Sequence, residues 1–230
     1  MAEAETSARK LNDAFADLKP LVDGADVVLK PCQSDEECLT YRCRCGFQIL
    51  HNENAIEYAV REANAPVKIH TFPVANKRIQ TVMAQFRDTV NSTPSQYDFI
   101  VHGLTSATFS TSWNEEMCVL TLHYSSHIQD NDSWSSQASR LADSLRLSQL
   151  TGRSRRRVLR CFPERRTLDD PLWISCDDKQ WAVRLHDDPT ISSIAVVYFK
   201  PEDAFYHPNP RVMVQALGWI LSRLSNISTT

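Results

Sequence analysis

The sequence predicts an α+β fold, with helices packed on a mostly antiparallel sheet. Two patterns support this prediction. Some segments alternate apolar and polar residues, as half-buried strands do, and others place apolar residues every three or four positions, as amphipathic helices do. Helices and short strands follow one another without the regular strand–helix–strand repeat of a parallel sheet. With 230 residues, 42% of them apolar, the chain is long enough for one full domain, or for one domain with a small annex.

Four helices are predicted from apolar spacing. The first lies within residues 6–22 and ends near Pro20. The third begins where Asp132 or Ser133 caps it, and the last begins at Pro210, where a missing backbone N–H costs nothing. Their apolar positions are Leu11, Phe15 and Leu18 in the first, Ile79, Val82, Met83, Phe86 and Val90 in the second, Trp134, Ala138, Leu141 and Leu145 in the third, and Val214, Leu217, Ile220, Leu221 and Leu224 in the last.

The strand predicted at residues 41–50 has two distinct faces. Cys43 and Cys45 lie on one face with the other odd-numbered positions, while Arg42 and Arg44 lie on the opposite face. A half-buried strand therefore points the cysteines inward and the arginines outward. Further strands, in segments rich in aromatic and β-branched residues, are predicted at residues 56–60, 67–71, 99–104, 117–124, 172–176, 181–185 and 194–199.

Composition excludes several classes of protein. The five glycines lie far apart, so no glycine-rich loop cradles a nucleotide phosphate. No uncharged run approaches the roughly 20 apolar residues that span a bilayer, and the acidic N-terminus is unlike a targeting presequence. We therefore expect an intracellular protein that binds no membrane, with the cytoplasm as the first expectation and a mitochondrial location as the alternative.

The cysteines and histidines do not form a metal-binding pattern. Seven cysteines predict reduced thiols rather than disulfides in an intracellular chain. Cys32, Cys38, Cys43 and Cys45 lie close together, but their spacing lacks the Cys-x2-Cys knuckle that wraps zinc. The seven histidines are scattered and include no His-Glu-x-x-His pair. We expect neither a metal site nor a bound cofactor.

Basic residues are concentrated in one stretch of the chain. The net charge is −3, yet arginines cluster at residues 153–160 and again at 165–166. The planar guanidinium fork suits phosphate and can stack on bases, so this cluster on a mildly acidic protein predicts a local contact with nucleic acid. The alternative is a solvated charged loop.

Four short segments carry a family resemblance. They are Tyr-Arg-Cys-Arg-Cys-Gly-Phe at 41–47, Thr-Phe-Pro-Val-Ala at 71–75, Gly-Arg-Ser-Arg at 152–155 and Phe-Tyr-His-Pro-Asn at 205–209. In this order they resemble four motifs of the TrmA-type tRNA (uracil-5-)-methyltransferase family: the Tyr-Arg-x-Arg-x-x-Phe strand, the Thr-Phe-Pro-x-Ala helix opening, the Gly-Arg-Ser-Arg/Lys turn and the Phe-x-Gln-Pro-Asn signature. The resemblance covers roughly residues 6–225.

The resemblance implies a fold like the RNA-binding, non-catalytic portion of that family. In the family, the Phe-x-Gln-Pro-Asn segment leads into an S-adenosylmethionine-binding domain of on the order of 100 to 200 residues, whereas this sequence continues for only about twenty. We therefore expect an RNA-binding α+β region at 1–204, as one body or as two lobes divided near residue 150. A C-terminal helix at 205–230 would follow, which in the family leads into the methyltransferase domain.

Cys176 is not expected to be catalytic. Ser175, Cys176 and Asp177 resemble the family's Ser-Cys-Asn-Pro nucleophile motif, but they precede residue 205 instead of following it, and an acid replaces the asparagine. A catalytic thiol also needs a nearby base or positive group, and the sequence around Cys176 offers no recognisable one. We therefore expect this chain not to be an enzyme.

The resemblance further implies a set of RNA-contacting residues. Arg42 and Arg44 would face RNA, Phe99 would stack in an unwound T-loop, and Phe205 would contact the flipped base. Gln48 and His207 depart from the family, which has arginine and glutamine there, and imidazole does not offer the paired donor and acceptor of an amide. The alternative roles of Phe99 and Phe205 are a place in the core and an anchor for the last helix. The predicted RNA-binding residues are Arg42, Arg44, Gln48, Phe99, Arg153, Arg155, Arg156, Arg157, Phe205 and His207.

Three functional hypotheses follow. The leading one is a catalytically silent methyltransferase relative that binds a structured RNA hairpin of tRNA T-arm or rRNA type. Such a protein would act in RNP or ribosome assembly, and no DNA partner is expected. The second is the RNA-binding half of a split methyltransferase, whose catalytic partner docks on Leu217, Ile220 and Leu224 of the last helix. The third is a protein-interaction module that docks through its sheet.

Overall fold

The computed structural model describes residues 39–227, apart from short gaps. The chain divides into two compact units, 1–34 and 35–230, and every described residue belongs to the second. The helix predicted at 6–22, together with Cys32 and Cys38, lies outside the described residues. The gaps are 53–54, 63–64, 129, 156, 162–167, 178–179, 186–192 and 201–205.

Seven strands form one large sheet in the order β3-β2-β1-β4-β5-β6-β7. All neighbours in it are antiparallel except β5 and β6, which are parallel. The predicted α+β fold with a mostly antiparallel sheet is therefore confirmed. The strands are β1 (Arg44–Asn52), β2 (Ala55–Glu62), β3 (Ala65–Ile69), β4 (Leu104–Thr111), β5 (Cys118–Tyr124), β6 (Gln149–Arg153) and β7 (Val158–Cys161).

Helices cover one face of this sheet. Helix α1 (Lys77–Ser92) and helix α3 (Asn131–Ser144) bury the apolar residues that the spacing predicted, and α2 (Asp98–Val101) is a single turn. Their apolar sides and the inward residues of the strands form one continuous core. The cap of α3 is Asp130, whose carboxylate accepts the N–H groups of residues 132 and 133. The prediction of a cap at Asp132 or Ser133 is therefore wrong by two or three residues.

A second, smaller sheet follows in the chain. Strands β8 (Leu168–Asp177), β9 (Gln180–Arg184) and β10 (Ser193–Lys200) pair antiparallel in the order β10-β8-β9. Helix α4 (Pro210–Ile227) packs Val214, Leu217 and Leu221 of its predicted apolar side against this sheet, whereas Ile220 and Leu224 are exposed. The division into lobes near residue 150 stays a prediction; residue 150 lies within β6, and the second sheet begins at residue 168. Within the described helices, none is long and apolar enough to cross a bilayer.

A buried ion pair joins the two sheets. Lys200 of β10 and Asp170 of β8 form a contact that is almost completely shielded from solvent, and the Asp170 carboxylate also accepts the backbone N–H of Trp113. The Lys200 ammonium donates to the carbonyl of Thr111 at 3.1 Å and lies 4.9 Å from the ring centroids of both Trp113 and Tyr206. Burial raises the pKa of the Asp170 carboxyl, although the charge of Lys200 opposes the shift. The pair therefore holds the second sheet against the β4–β5 connection.

The prediction of a strand at 99–104 is wrong for all but its last residue, because the first residues of this segment are helical. Residues 98–101 form α2, and β4 begins only at Leu104. The side-chain oxygen of Gln137, from α3, accepts the N–H of Phe99 at 3.0 Å and that of Ile100 at 3.3 Å. Because this partner lies far away in sequence, tertiary contacts override the strand propensity of the segment.

The cysteines behave as the strand pattern predicts. Cys43 and Cys45 point inward and are buried, as are Cys118 and Cys161, whereas Cys176 is exposed. Burial raises the pKa of every one of these buried thiols, to about 12 for Cys45 and Cys118 and to about 11 for Cys161. Within the part of the chain that the structure describes, no three His, Cys, Asp or Glu side chains are grouped to hold a metal.

Replacing Gly152 by alanine should destabilise the fold. A Cβ on Gly152 would lie closer than 3.0 Å to the Trp134 indole, and overpacking of this kind costs about 1–3 kcal/mol. Gly46→Ala is the matched control, because its Cβ would meet Thr108 at an ordinary 3.5 Å. Urea unfolding of the three proteins measures the difference. Equal stability of the two variants would contradict the packing described here.

The native protein should show a strong order of thiol reactivity. Alkylation requires the thiolate, and at neutral pH the raised pKa values keep Cys45, Cys118 and Cys161 protonated as well as buried. Among Cys43 and the residues after it, brief iodoacetamide treatment should therefore label Cys176 first, as measured by peptide mass spectrometry. Guanidinium-unfolded protein, in which all sites should react alike, is the control. Equally fast labelling of Cys45 would show that β1 does not face the core.

Candidate nucleic-acid interface

The face of the large sheet that is turned away from the helices carries an accessible row of polar side chains. Gln48 on β1 lies opposite Ser106 on β4, Ser106 opposite His123 on β5, and His123 beside Arg153 on β6. Because register partners share a face, these four side chains form one line, which we call the polar row. Gln48 is exposed and the others are half-buried. Two of the predicted RNA-binding residues, Gln48 and Arg153, are thus brought onto one surface.

A cleft lies at the sheet end where β5 and β6 finish. Its first compartment is a cavity of about 390 Å³, and its second is a hollow of about 460 Å³. Ser126 and His127 line both, so the two hollows adjoin, and we call them together the sheet-end cleft. The first is lined by His51, Ala55, Val90, Asn91, Pro94, Asp98, Phe99, Val101, His102, Gly103, Tyr124, Ser126, His127 and Ile128, and the second by Ser125, Ser126, His127, Ser154 and Arg155.

Phe99 is held at the first compartment by a network of hydrogen bonds. The Gln137 amide accepts the Phe99 N–H and donates to the Asp98 carboxylate at 2.6 Å. The Trp134 indole donates to the Tyr124 hydroxyl at 2.8 Å, which in turn donates to the Ile100 carbonyl at 2.9 Å. Residue Phe99 is 37% exposed. At this exposure Phe99 is not a buried core residue, and its contact with RNA stays a prediction.

The turn between β6 and β7 presents arginines beside the second compartment. The Ser154 N–H donates to the Arg157 carbonyl at 2.9 Å, and the Ser154 hydroxyl approaches the same oxygen at 3.3 Å. Arg155 and Arg157 are exposed on this turn, and Arg153 at its start is half-buried. Arg156 lies outside the described residues. Three predicted arginines and Phe99 therefore lie towards the same end of the sheet, with Arg155 and Phe99 lining adjoining hollows.

The remaining predicted residues lie at the opposite end. Arg44 begins β1, and its guanidinium carbon lies 5.4 Å from the Tyr206 ring centroid. His207 follows in the chain and is exposed, with its Nδ1 3.1 Å from the Asn209 backbone N–H that donates to it. Arg44 is separated from His51, at the cleft end, by about 23 Å of strand. The structure therefore does not bring Arg44, at the start of β1, or Arg42, which precedes β1 and bridges to Ala75, together with Phe99. Phe205 lies outside the described residues.

Sequence reasoning missed the histidines of the cleft. His51, His102 and His127 come from the end of β1, the α2–β4 turn and the β5–α3 connection. His51 Nε2 lies 2.6 Å from the Leu104 carbonyl oxygen, to which it donates. In the sequence these histidines are merely scattered; their positions at strand ends were the available signal, since strand ends of one sheet can converge.

A family model described as tRNA (Uracil-5-)-methyltransferase matches residues 7–229. The match spans nearly the whole sequence. The chain belongs to the tRNA (uracil-5-)-methyltransferase family. The resemblance inferred from the four sequence motifs is therefore confirmed.

Relatives in this family are longer methyltransferases at low identity. The tRNA/tmRNA (uracil-C(5))-methyltransferase of Dechloromonas aromatica is 28% identical over 184 residues, which are 79% of this chain and 43% of the relative. The enzyme of the same description from Escherichia coli O1:K1 / APEC is 23% identical over 223 residues, 96% of this chain and 52% of the relative. The chain thus spans about half the length of the curated relatives it matches.

A solved structure shares the fold. The Pyrococcus abyssi tRNA (uracil-54, C5)-methyltransferase, determined with S-adenosyl-L-homocysteine, aligns with a TM-score of 0.52 over 89% of this chain and 45% of its own. The sequence identity is 13%. At this identity the likeness shows the fold alone.

Three of the four family motifs meet at the start of β1. The Arg42 N–H donates to the Val74 carbonyl at 2.8 Å, and the Asn76 N–H donates to the Arg42 carbonyl at 2.8 Å. The Cys43 N–H donates to the Pro208 carbonyl at 2.9 Å. Asn76 then caps α1 through its side chain. The motifs at 41–47, 71–75 and 205–209 therefore have a structural role, because they fasten two helix starts to the first strand.

Proposed function

We propose that this chain is a non-catalytic RNA-binding protein that grips a structured hairpin of tRNA T-arm or rRNA type. One observation carries the proposal: the β6–β7 turn sets exposed Arg155 and Arg157 beside a cleft that presents Phe99. Single-stranded loops are held by aromatic stacking on bases and by arginines on phosphates. Membership of a tRNA-methyltransferase family supports the same interpretation.

The polar row would extend this grip along the sheet. Gln48 and Ser106 offer hydrogen-bonding groups, the His123 ring lies between them and Arg153 with its Nε2 3.3 Å from the Thr108 hydroxyl, and Arg153 at the end of the row leads into the turn. Contacts to phosphate and sugar fix the register of a nucleic acid without reading its sequence. We infer that the row positions the stem and the cleft receives the loop. A role in RNP or ribosome assembly is the form that such non-catalytic binding would take.

Charge reversal on the β6–β7 turn should weaken RNA binding. Arg155→Glu combined with Arg157→Glu should raise the Kd for a T-arm hairpin by about tenfold or more. It should also flatten the salt dependence of binding, because a phosphate that no longer meets an arginine keeps its counterions when the complex forms. Gel-shift titrations across a salt series provide the measurement.

The matched control for this experiment is Arg146→Glu. Arg146 is exposed but precedes β6, so it lies at the other end of that strand from the turn. Binding by the double variant at the wild-type Kd, or a wild-type affinity that ignores salt, would refute the proposal. It would leave the protein-interaction module as the better hypothesis.

A second candidate function is favoured by α4. Trp219, Ile220 and Leu224 on this helix are 54%, 44% and 53% exposed and form an apolar strip. The other side of the helix, with Met213, Val214 and Leu217, packs on the second sheet. The chain would then be the RNA-binding half of a tRNA (uracil-5-)-methyltransferase whose catalytic part is another polypeptide. Arg44 and His207 would lie near the base to be methylated in that assembly.

Reconstitution tests the second function. The chain would be mixed with the remaining half of the Dechloromonas aromatica relative, a T-arm RNA and tritiated S-adenosylmethionine. Methyl transfer should appear only in the mixture, and Ile220→Ser with Leu224→Ser should reduce it at least tenfold, whereas the exposed polar control Gln215→Ser should not. Transfer by the chain alone, or none in any mixture, would reject this candidate.

A further inference from the structure

We propose that the outer edge of strand β10 is a homodimer interface, at which a second copy of this chain pairs its own β10 antiparallel to the first. The two second sheets would then become one sheet that runs across both molecules. The inference goes beyond the proposed function and does not depend on it. Its basis is a strand edge that, along the described chain, has neither a strand partner nor the features by which proteins protect such edges.

Apolar side chains surround the free edge of β10. Within the described residues β10 pairs only with β8, over eight consecutive positions without a register shift. Ile194, Val196 and Val197 are 69%, 42% and 48% exposed. Because side chains alternate along a strand, Val197 lies on the opposite face of the sheet from Ile194 and Val196. The edge therefore combines a row of unpaired backbone groups with apolar surface on both faces.

The three other edges of the described sheets are protected. Strand β3, at one edge of the large sheet, contains Pro66 and Lys68. Strand β7, at the other edge, has only four residues and includes Arg160, and β9 of the second sheet contacts helix α4. Proline, lysine, short length and a covering helix all keep an edge from pairing with another chain. Strand β10 has none of them, because residues 193–199 include no proline and no charged residue.

Strand β10 is held in place at its C-terminal end. Lys200, its last residue, is buried in the ion pair with Asp170 and donates to the Thr111 carbonyl. Two residues earlier, the Tyr198 ring stacks on Trp113 at 5.5 Å. A strand that is already fixed loses less conformational entropy on pairing than a mobile segment does. The edge is therefore preorganised for a partner strand.

The charge pattern of β10 favours a second copy as that partner. Residues 193–199 carry no charge, so two copies can pair without placing like charges opposite each other. The charge of Lys200 is already paired with Asp170 inside the protein. An uncharged edge offers no charge by which a different chain would be selected, and homodimer interfaces are more apolar than those between different proteins.

Two-fold symmetry determines which residues meet. The axis of such a pair stands perpendicular to the sheet, and a residue on the axis lies opposite its own copy. Val196 is the middle residue of the uncharged stretch 193–199. An axis at Val196 places Ile194 opposite Tyr198 of the second copy, an aromatic and β-branched pair of the kind that stabilises sheets. The assembly closes at two copies, because the outer edges of the joined sheet are the two β9 strands.

Sedimentation of the full chain tests the interface. The wild-type chain should form a dimer, and Val196→Lys should raise the dissociation constant about tenfold or more, because two lysines would face each other at the axis. Val196→Glu should do the same. An equimolar mixture of the two variants should dimerise again, since lysine then faces glutamate. Val67→Lys, on the exposed but protected β3, is the matched control, and thermal melting verifies that each variant folds.

Disulfide cross-linking tests the register. The background is Cys176→Ser, because Cys176 is exposed, and the parent accounts for any other thiol. Val196→Cys should give a covalent dimer under mild oxidation, since opposed Cα atoms of an antiparallel pair lie about 4.5–5.5 Å apart, a separation that a disulfide spans. The matched variant Val67→Cys should not. Equal cross-linking of the two would refute the pairing.

Other occupants of the edge give different results. A wild-type chain that is monomeric at about 100 μM would overturn the inference, and protection of its β10 amides from hydrogen exchange would show that another part of the chain covers the edge. A dimer that neither charged variant weakens would place the interface elsewhere, and a mixture of the two that stays monomeric would also refute self-pairing. A dimer that binds no RNA would leave this interface standing while the proposed function fails.

Discussion

The buried contact between Asp170 and Lys200 is the constraint on which the arrangement of the two sheets depends. Buried ion pairs add little net stability, since desolvation offsets most of the attraction between the charges. What this pair supplies is geometry. Both charges are satisfied only when β8, β10 and the β4–β5 connection come together, with Trp113 stacked on Tyr198 at 5.5 Å beside them. A displaced second sheet would leave a charge buried without its partner.

The residues that hold the two sheets together lie at one end of the large sheet, and the candidate binding surface lies at the other end. The segments at 41–47, 71–75 and 205–209 carry the resemblance and are joined by backbone hydrogen bonds. Tyr206, in the last of them, lies 4.9 Å from the Lys200 ammonium of the ion pair. The cleft and the β6–β7 turn lie at the other end of the sheet, and of the motifs only 152–155 reaches them. Recognisable sequence in this chain therefore marks mainly what holds the sheets and helices together.

Local features of the fold were predictable, and those made by distant contacts were not. The inward position of Cys43 and Cys45 and the buried side of α1 follow from residue period alone. Strand β6 was missed because it is buried on both faces and shows no alternation. The strand–helix boundary near Phe99 was wrong because Gln137, 38 residues away, caps the turn. The cleft itself could not be predicted. Its walls come from separate elements that only the strand order and register of the sheet bring together, and the residue pattern specifies neither.

The parallel pairing of β5 with β6 decides where the arginines go. Helix α3 returns the chain across the sheet, so that β6 runs in the same direction as β5 and ends beside Ser125 and Ser126. Had a tight hairpin joined the two strands, β6 would run the other way and carry Arg155 to the far edge, about 17 Å distant for a strand of five residues. The direction of one short strand thus decides at which end of the sheet Arg155 and Arg157 lie.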